Sequence, residues 1–290
     1  MTYKSVFRSD LFAGQTAIVT GSGSGIGRCI AHEIAALGGH VVLIGRTRER
    51  LEETAAELAE DGGDSSIYPQ DIRDEEGVTE TIAKIVAERG RIHALVNNAG
   101  GQFSAPLTEI SQNGFDTVVR NNLTGGFLMA REVYKQSMEA QGGNIVNVTA
   151  DSRNGMPGMG HSGAARAGME NFTMTAAIEW AHSGVRVNSV APGWVISSGF
   201  DKYDPETTKM FTLMHDWVPL KRLGTESEVS AVVCFLLSEG AAFITGETIR
   251  IDGGRPLSSV LWPVPDHDRS QPYEGFHRSV LPEVLKEGED

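Results

Sequence analysis

The run Thr20-Gly21-Ser22-Gly23-Ser24-Gly25-Ile26-Gly27 follows a short apolar stretch and opens one rich in Ala, Ile and Leu. A strand, a glycine turn and a helix in that order suit a dinucleotide pyrophosphate. Glycines permit a tight turn and close approach of phosphate to the backbone. The helix N-terminus adds unpaired N–H groups and the positive end of its dipole. Gly21, Ser22, Ser24, Gly25, Ile26 and Gly27 are therefore candidate cofactor contacts. A plain turn without a ligand is the alternative, and the flanking strand and helix speak against it. The end of the second strand should choose the cofactor. An acid there bonds the ribose hydroxyls of NAD and repels a 2′-phosphate. Here the strand ends Ile44-Gly45-Arg46-Thr47, with no acid. Arg46 suits charge-assisted bonds to phosphate, each worth roughly 1.5–3 kcal/mol. The expected cofactor is NADP(H), with Arg46 and Thr47 at its 2′-phosphate. The competing reading pairs Arg46 with Glu49 or Glu53 on the next helix.

These groups need a scaffold, and the hydrophobic pattern describes one. Strands are expected at 17–20, 41–44, 66–68, 94–97, 145–148, 185–190 and 247–251. Helices are expected at 26–37, 48–60, 78–89, 122–139, 164–182 and 227–238. Strands that are apolar throughout and separated by helices require a parallel sheet covered on both faces. The fold class is α/β, a doubly wound parallel sheet of Rossmann type in a single domain with a C-terminal extension. The expected divisions are a tail over 1–11, a Rossmann-type domain over 12–256 and an arm over 257–290. Within the domain, residues 194–225 are irregular and carry Trp194, Phe200, Tyr203, Phe211 and Trp217. They read as a substrate lid, with a packed surface loop as the alternative. Val264-Pro265-Asp266-His267-Asp268 reads as an extended arm lying on a neighbour or over the site.

Composition limits the partners. With 290 residues, 40% of them hydrophobic, the chain can bury a large core. Its net charge of −13 excludes most nucleic-acid and anionic-membrane binding. No apolar run approaches the ~18 residues of a membrane span. Residues 1–14 lack an apolar signal core, and the final residues are not a Ser-Lys-Leu address, so a cytoplasmic place is expected. Cys29 and Cys234 lie far apart in apolar segments and read as reduced core residues, so neither a disulfide nor a metal is expected.

As a set, further motifs resemble the short-chain dehydrogenase/reductase superfamily over roughly residues 12–256. Thr20 to Gly27 matches its glycine turn. Asp71-Ile72 stands where its acid meets the adenine, and Asn97-Asn98-Ala99-Gly100 matches its Asn-Asn-Ala-Gly strand end. Asn122 matches the family Asn. Ala191-Pro192-Gly193, with Val195 and with Ser197 four residues beyond Gly193, matches the segment at the nicotinamide carboxamide. Ile251-Asp252-Gly253-Gly254 matches the final strand. The resemblance adds Asp71, Ile72, Asn98, Ala99, Gly100, Pro192, Gly193, Val195 and Ser197 to the cofactor contacts. It also implies a homo-oligomer, dimer or tetramer, with the small-residue face Gly163, Ala164, Ala167, Gly168 at a subunit contact.

The family's Tyr-x3-Lys pair is absent. Its Lys falls on Arg166 and its Tyr on Ser162, and the Ser before them on Thr149 or Ala150. Gly101-Gln102-Phe103, the segment from His161 to Gly168, and Val264 to Asp268 are similar to the peroxisomal trans-2-enoyl-CoA reductase and 2,4-dienoyl-CoA reductase subgroup. The dienoyl enzymes carry a Tyr acid at the position of Asp151, and a Tyr of the enoyl enzyme falls on Glu170.

Carbonyl reduction needs an acid at the oxygen itself, for which Ser162 with Arg166 is poorly suited. Reduction of an enoyl thioester sends hydride to carbon and charge to the thioester oxygen, where hydrogen-bond donors suffice. The expected substrate is therefore an enoyl- or dienoyl-CoA thioester. Ser162 would be a donor, Arg166 would hold the nicotinamide ribose, Asn122 would order a water, and Asp151 or His161 would titrate. Each has a plainer reading: Ser162 as a helix cap, Arg166 as structural, His161 and Asp151 as packed or solvated groups. A carbonyl or alcohol (3-oxoacyl) oxidoreductase using Asp151, His161 or Tyr203, and a catalytically silent NADP(H)-binding protein, are the rival functions.

Overall fold

Val41, Val42, Leu43 and Ile44 are all fully buried, because their strand is covered on both faces. The same holds for Ile18 and Val19, and for Leu95 and Val96. A computed structural model describes residues 2–198, 213–259, 261–282 and 285. Its sheet has seven strands: β1 (Thr16–Thr20), β2 (His40–Gly45), β3 (Asp64–Pro69), β4 (Ala94–Asn97), β5 (Gly143–Val148), β6 (Val185–Pro192) and β7 (Thr248–Ile251). The order is β3-β2-β1-β4-β5-β6-β7, and every pairing is parallel. The order reverses between β1 and β4, which opens a crevice at the carboxyl ends of those strands.

Helices cover both faces: α1 (Gly25–Ala36), α2 (Arg48–Glu60), α3 (Glu75–Arg89), α4 (Gln112–Val119), α5 (Gly125–Val133), α6 (Glu139–Gln141), α7 (Gly160–Glu179) and α8 (Glu226–Leu237). Ile30 and Ile34 of α1 join Val229 and Val233 of α8 in one core layer. Ile82 and Ile85 of α3 join Met129 and Val133 of α5 in the other. Among the described helices none is long and apolar enough to cross a membrane.

Two helix starts lie well before expectation. The helix expected at 122–139 starts at Gln112, and π turns at Arg120–Thr124 and Tyr134–Met138 join α4, α5 and α6. Only Val118 of α4 is buried, so its apolar stripe is too thin to read. The helix expected from 164 begins at Gly160, with Met159 as its cap residue. Ser162 thus lies within the first turn and caps nothing.

Residues 264–268 run without helix or strand along residues 219–221, within the segment expected to form the lid. Asp266 reaches Lys221 at 3.1 Å, and His267 Nε2 lies 3.0 Å from the Pro219 carbonyl. Further on, the Tyr273 hydroxyl donates to the Lys4 carbonyl (2.6 Å), and the Lys4 N–H donates to Gly275. Phe276 is buried against Tyr3 and Cys29, and Arg278 makes an ion pair with Asp61 at the end of α2. Of the lid expected over 194–225, residues 199–212 lie outside the described residues, as do Phe200, Tyr203 and Phe211.

Candidate active site

The β1–α1 turn is shaped for backbone contact. Gly25 has φ +56°, a region that costs other residues strain. A Cβ on Gly27 would strike the Gly21 carbonyl and the Asn98 amide. Gly27 therefore serves the closure of the turn against β4. Thr20 and Asn98 stitch that closure. The Asn98 and Ala99 N–H groups both donate to Thr20 Oγ1 (3.0 Å), and Asn98 Nδ2 donates to the Thr20 carbonyl (3.0 Å). Ser24 is the cap residue of α1 but makes no side-chain cap bond. The first-turn N–H groups keep their polarity for an anion. Ser22 is fully buried with its hydroxyl toward the Ile44 carbonyl, so its side chain supports the turn from behind. Across the crevice, the loop after β6 brings Ser197 and Ser198 to 3.9 Å from a Cβ position on Gly25.

Beyond β2, Arg46 and Thr47 are exposed. Arg46 forms no ion pair with Glu49 or Glu53, which removes that alternative; Arg48 pairs with Glu52 instead. Thr47 precedes α2 without a capping bond. Asp71 takes a bidentate grip from Arg73 (2.9 and 2.6 Å), which holds its carboxyl below the usual range, and Arg46 adds to that. Ile72 is buried and packs on Gly125. At the other end, Pro192 accepts from the Asp151 N–H (3.1 Å) and Gly193 donates to Ile251 (2.9 Å). Val195 bridges to Gly224.

The position of the family Lys holds a fixed cation. Arg166 Nη1 donates to the Val148 carbonyl at 2.7 Å, Nη2 points at Gly100, and Nε is buried without a partner among the described residues. A Cβ on Gly100 would come within 2.7 Å of Nη2 and 2.9 Å of Asn122 Oδ1. Glycine there lets β4 end against both side chains. Burial lowers the Arg166 guanidinium to about 10, so it stays charged at neutral pH. The orphaned Nε and the uncapped α1 turn both fit a bound dinucleotide, whose ribose and phosphates carry acceptors.

One helical turn before Arg166, the fully buried Ser162 donates to Gln102 Oε1 at 2.7 Å. The amide of Asn122, buried in the first π turn, clasps the next residue back. Its Oδ1 accepts from the Gly101 N–H (2.8 Å) and its Nδ2 donates to the Gly101 carbonyl (3.0 Å). With both polar atoms engaged, the Asn122 side chain positions the Gly101–Gln102 segment. His161 is fully buried and sits edge-on to Phe103 with ring centres 4.4 Å apart. Its Nδ1 accepts from the Ser162 N–H (2.8 Å), and its Nε2 has no partner among the described residues.

Asp151, beyond β5, lies 3.4 Å from Arg255, and its buried Oδ1 has no partner among the described residues. Arg255 in turn stacks on Trp194 at 4.6 Å. Burial pushes the nearby Glu170 carboxyl up, and Thr149 donates to it at 3.4 Å. Sequence reasoning assigned no role to Gln102, Arg255 or Glu226. Gln102 was visible in the Gly101-Gln102-Phe103 match, but nothing in spacing ties it to a residue sixty positions later. Among the described residues no cluster of His, Cys, Asp and Glu could hold a metal ion, and both cysteines are free and buried.

Comparison with known proteins agrees with this geometry. The family described as enoyl-(acyl carrier protein) reductase matches residues 21–255. The peroxisomal 2,4-dienoyl-CoA reductase, (3E)-enoyl-CoA-producing, of Danio rerio is 33% identical over 89% of this chain and 87% of its own. The 3-oxoacyl-(acyl-carrier-protein) reductase FabG of Staphylococcus epidermidis RP62A is 33% identical over 83% of this chain and 98% of its own. A solved structure of the citronellol catabolism dehydrogenase AtuB of Pseudomonas aeruginosa PAO1 is 62% identical. It covers 87% of this chain and 99% of that one, with a TM-score of 0.79.

Proposed function

Because the chain belongs to the short-chain dehydrogenase/reductase family, with resemblance to its dienoyl-CoA reductases, we propose that it reduces the C=C bond of an α,β-unsaturated acyl-CoA thioester with NADPH. The observation that carries this reading is the Ser162–Gln102 pair, 2.7 Å apart, one turn from Arg166. Ser162 and Arg166 stand where the family resemblance expects a Tyr and a Lys.

NADPH, held by the glycine turn, Arg46 and Arg166, would supply a hydride to the conjugated C=C system of the substrate. The rest falls to this chain. Negative charge collects on the thioester oxygen, and Ser162 donates a hydrogen bond to it while Gln102 holds the hydroxyl in place. The glutamine amide can serve in either sense after a half-turn, since its O and N ends are alike in shape. Arg166 stays charged, with Val148 fixing one arm and the orphaned Nε toward ribose acceptors. Asp151, steadied by Arg255, passes a proton from solvent to the α-carbon. Arg46 and Thr47 take the 2′-phosphate. The reading includes the cytoplasm as the place of action. It also includes a homodimer or homotetramer built on the exposed face of α7, where Ala164, Ala167, Met174 and Ile178 stand open.

The 62% identity to a citronellol catabolism dehydrogenase favours a second reading, oxidation of a branched alcohol. One assay separates the two. NADPH oxidation is followed with crotonyl-CoA, longer trans-2-enoyl-CoA, a 2,4-dienoyl-CoA, a 3-oxoacyl thioester and a simple ketone, and NADP+ reduction is followed with citronellol. Turnover of enoyl or dienoyl thioesters is expected. Turnover with carbonyls or citronellol alone would replace the proposal, and tight NADPH binding with no turnover would point to a silent cofactor-binding protein.

A further inference from the structure

Glu226 is the first residue of α8 and only 6% exposed. Its Oε1 lies 3.8 Å from where a Cβ on Gly25 would stand, beside the glycine turn and near Ser197 and Ser198. No hydrogen bond or ion pair holds its side chain among the described residues. We propose that Glu226 takes up a proton when a dinucleotide enters the glycine turn, so that cofactor affinity falls as pH rises. This rests on the reading of that turn as the pyrophosphate site.

The surroundings leave the carboxyl without a dedicated cation. From α1, Arg28 faces it, but that guanidinium is clamped on Glu57 (2.7 and 2.6 Å). Cys29, also on α1, is neutral because burial pushes its thiol up, and burial raises Glu33 one turn further on. Tyr3 from the N-terminal segment is likewise neutral. The C-terminal arm brings His277 and Arg278, both engaged by Asp61. Within α8, Glu228 is matched by Arg222, while the loop after β6 presents Ser197 and Ser198, which carry no charge. Burial pushes Glu226 up to about 7, and Arg28 pulls weakly the other way. The α8 N-terminus also favours the ionised form, without a neutralising charge. A dianionic pyrophosphate beside Gly25 adds repulsion in a partly buried place, which raises the carboxyl further.

The sign follows from linkage. The bound state holds the proton more tightly, so binding is strongest below about pH 6 and weakens above 7. Between pH 7 and 8.5, the Kd of NADP+ should rise about five- to tenfold, and that of NAD+ by the same factor, since both carry the pyrophosphate. E226Q should flatten both profiles and bind more tightly than the natural chain at pH 8.5. A slope present for NADP+ alone would assign the effect to the 2′-phosphate and overturn the proposal, as would parallel slopes in E226Q and the natural chain. Calorimetry on the unaltered protein gives a second test that needs no variant. At pH 7.5 in phosphate and in Tris, the difference in heat should show uptake of roughly half a proton per nucleotide. No uptake would overturn it. Failure of both nucleotides to bind at any pH would instead refute the turn as a pyrophosphate site.

Discussion

The crevice has two ends built on different terms. At the β1–α1 end the backbone does the work. Glycine φ angles, an uncapped helix and the Thr20–Asn98 stitches define a shape that tolerates little change. At the β5–α7 end side chains set the shape: Gln102 holds Ser162, the Val148 carbonyl holds Arg166 and Arg255 steadies Asp151, with Ser162 and Arg166 at the positions where the resemblance expects a Tyr and a Lys. The lesson is that a nucleotide site can be kept by geometry while the reacting end is re-equipped.

The sharpest way to break that contrast is at Gly27. Gly27→Val should abolish NADPH binding, at least about a hundredfold, and cost about 1–3 kcal/mol of stability, because no room exists beside Gly21 and Asn98. Fluorescence titration and thermal unfolding would read both. At the other end, Ser162→Ala should leave the NADPH Kd within about twofold and lower kcat on an enoyl-CoA roughly 10²–10³-fold, the scale of one lost oxyanion donor. Full activity would remove Ser162 from the mechanism. Arg46→Ala should weaken NADPH about ten- to a hundredfold and leave NADH unchanged, through loss of charge-assisted bonds. Equal affinities in the unaltered protein would end the NADPH preference. The smallest effect is expected for Gln102→Leu, a fall in kcat of about tenfold with KM for NADPH unaltered, as the hold on Ser162 is lost.

Much of the nucleotide end is legible in the sequence because its determinants are contiguous. One octapeptide carries the turn, and continuous apolar runs mark β1, β2 and β4. The reacting end is less legible. Gln102 and Ser162 meet only because β4 and β5 are adjacent and the π turn at Asn122 pulls Gly101 inward. Periodicity encodes none of that. Asp151 was singled out, but Arg255 follows the last strand, a hundred residues on, and stacks on Trp194 from a third loop. Glu226 lies one residue before the helix expected over 227–238 and carries no signal of its own. Its burial against Gly25 follows from the packing of α8 beside α1. The start of α7 lies earlier than expected because Ser162 offers a capping signal just before 164, while Gly160 to Gly163 carry no apolar stripe.

The contact between residues 273–278 and the outer side of α1 and α2 sets an order of events during synthesis. Phe276 covers Cys29 and Tyr3, and Arg278 latches onto Asp61, more than two hundred positions earlier. Every surface that this arm covers leaves the ribosome long before the arm does. The helix that opens the nucleotide site therefore waits, half-clad, until translation has passed the whole sheet. The first βαβ unit to emerge is among the last to acquire its final outer surface.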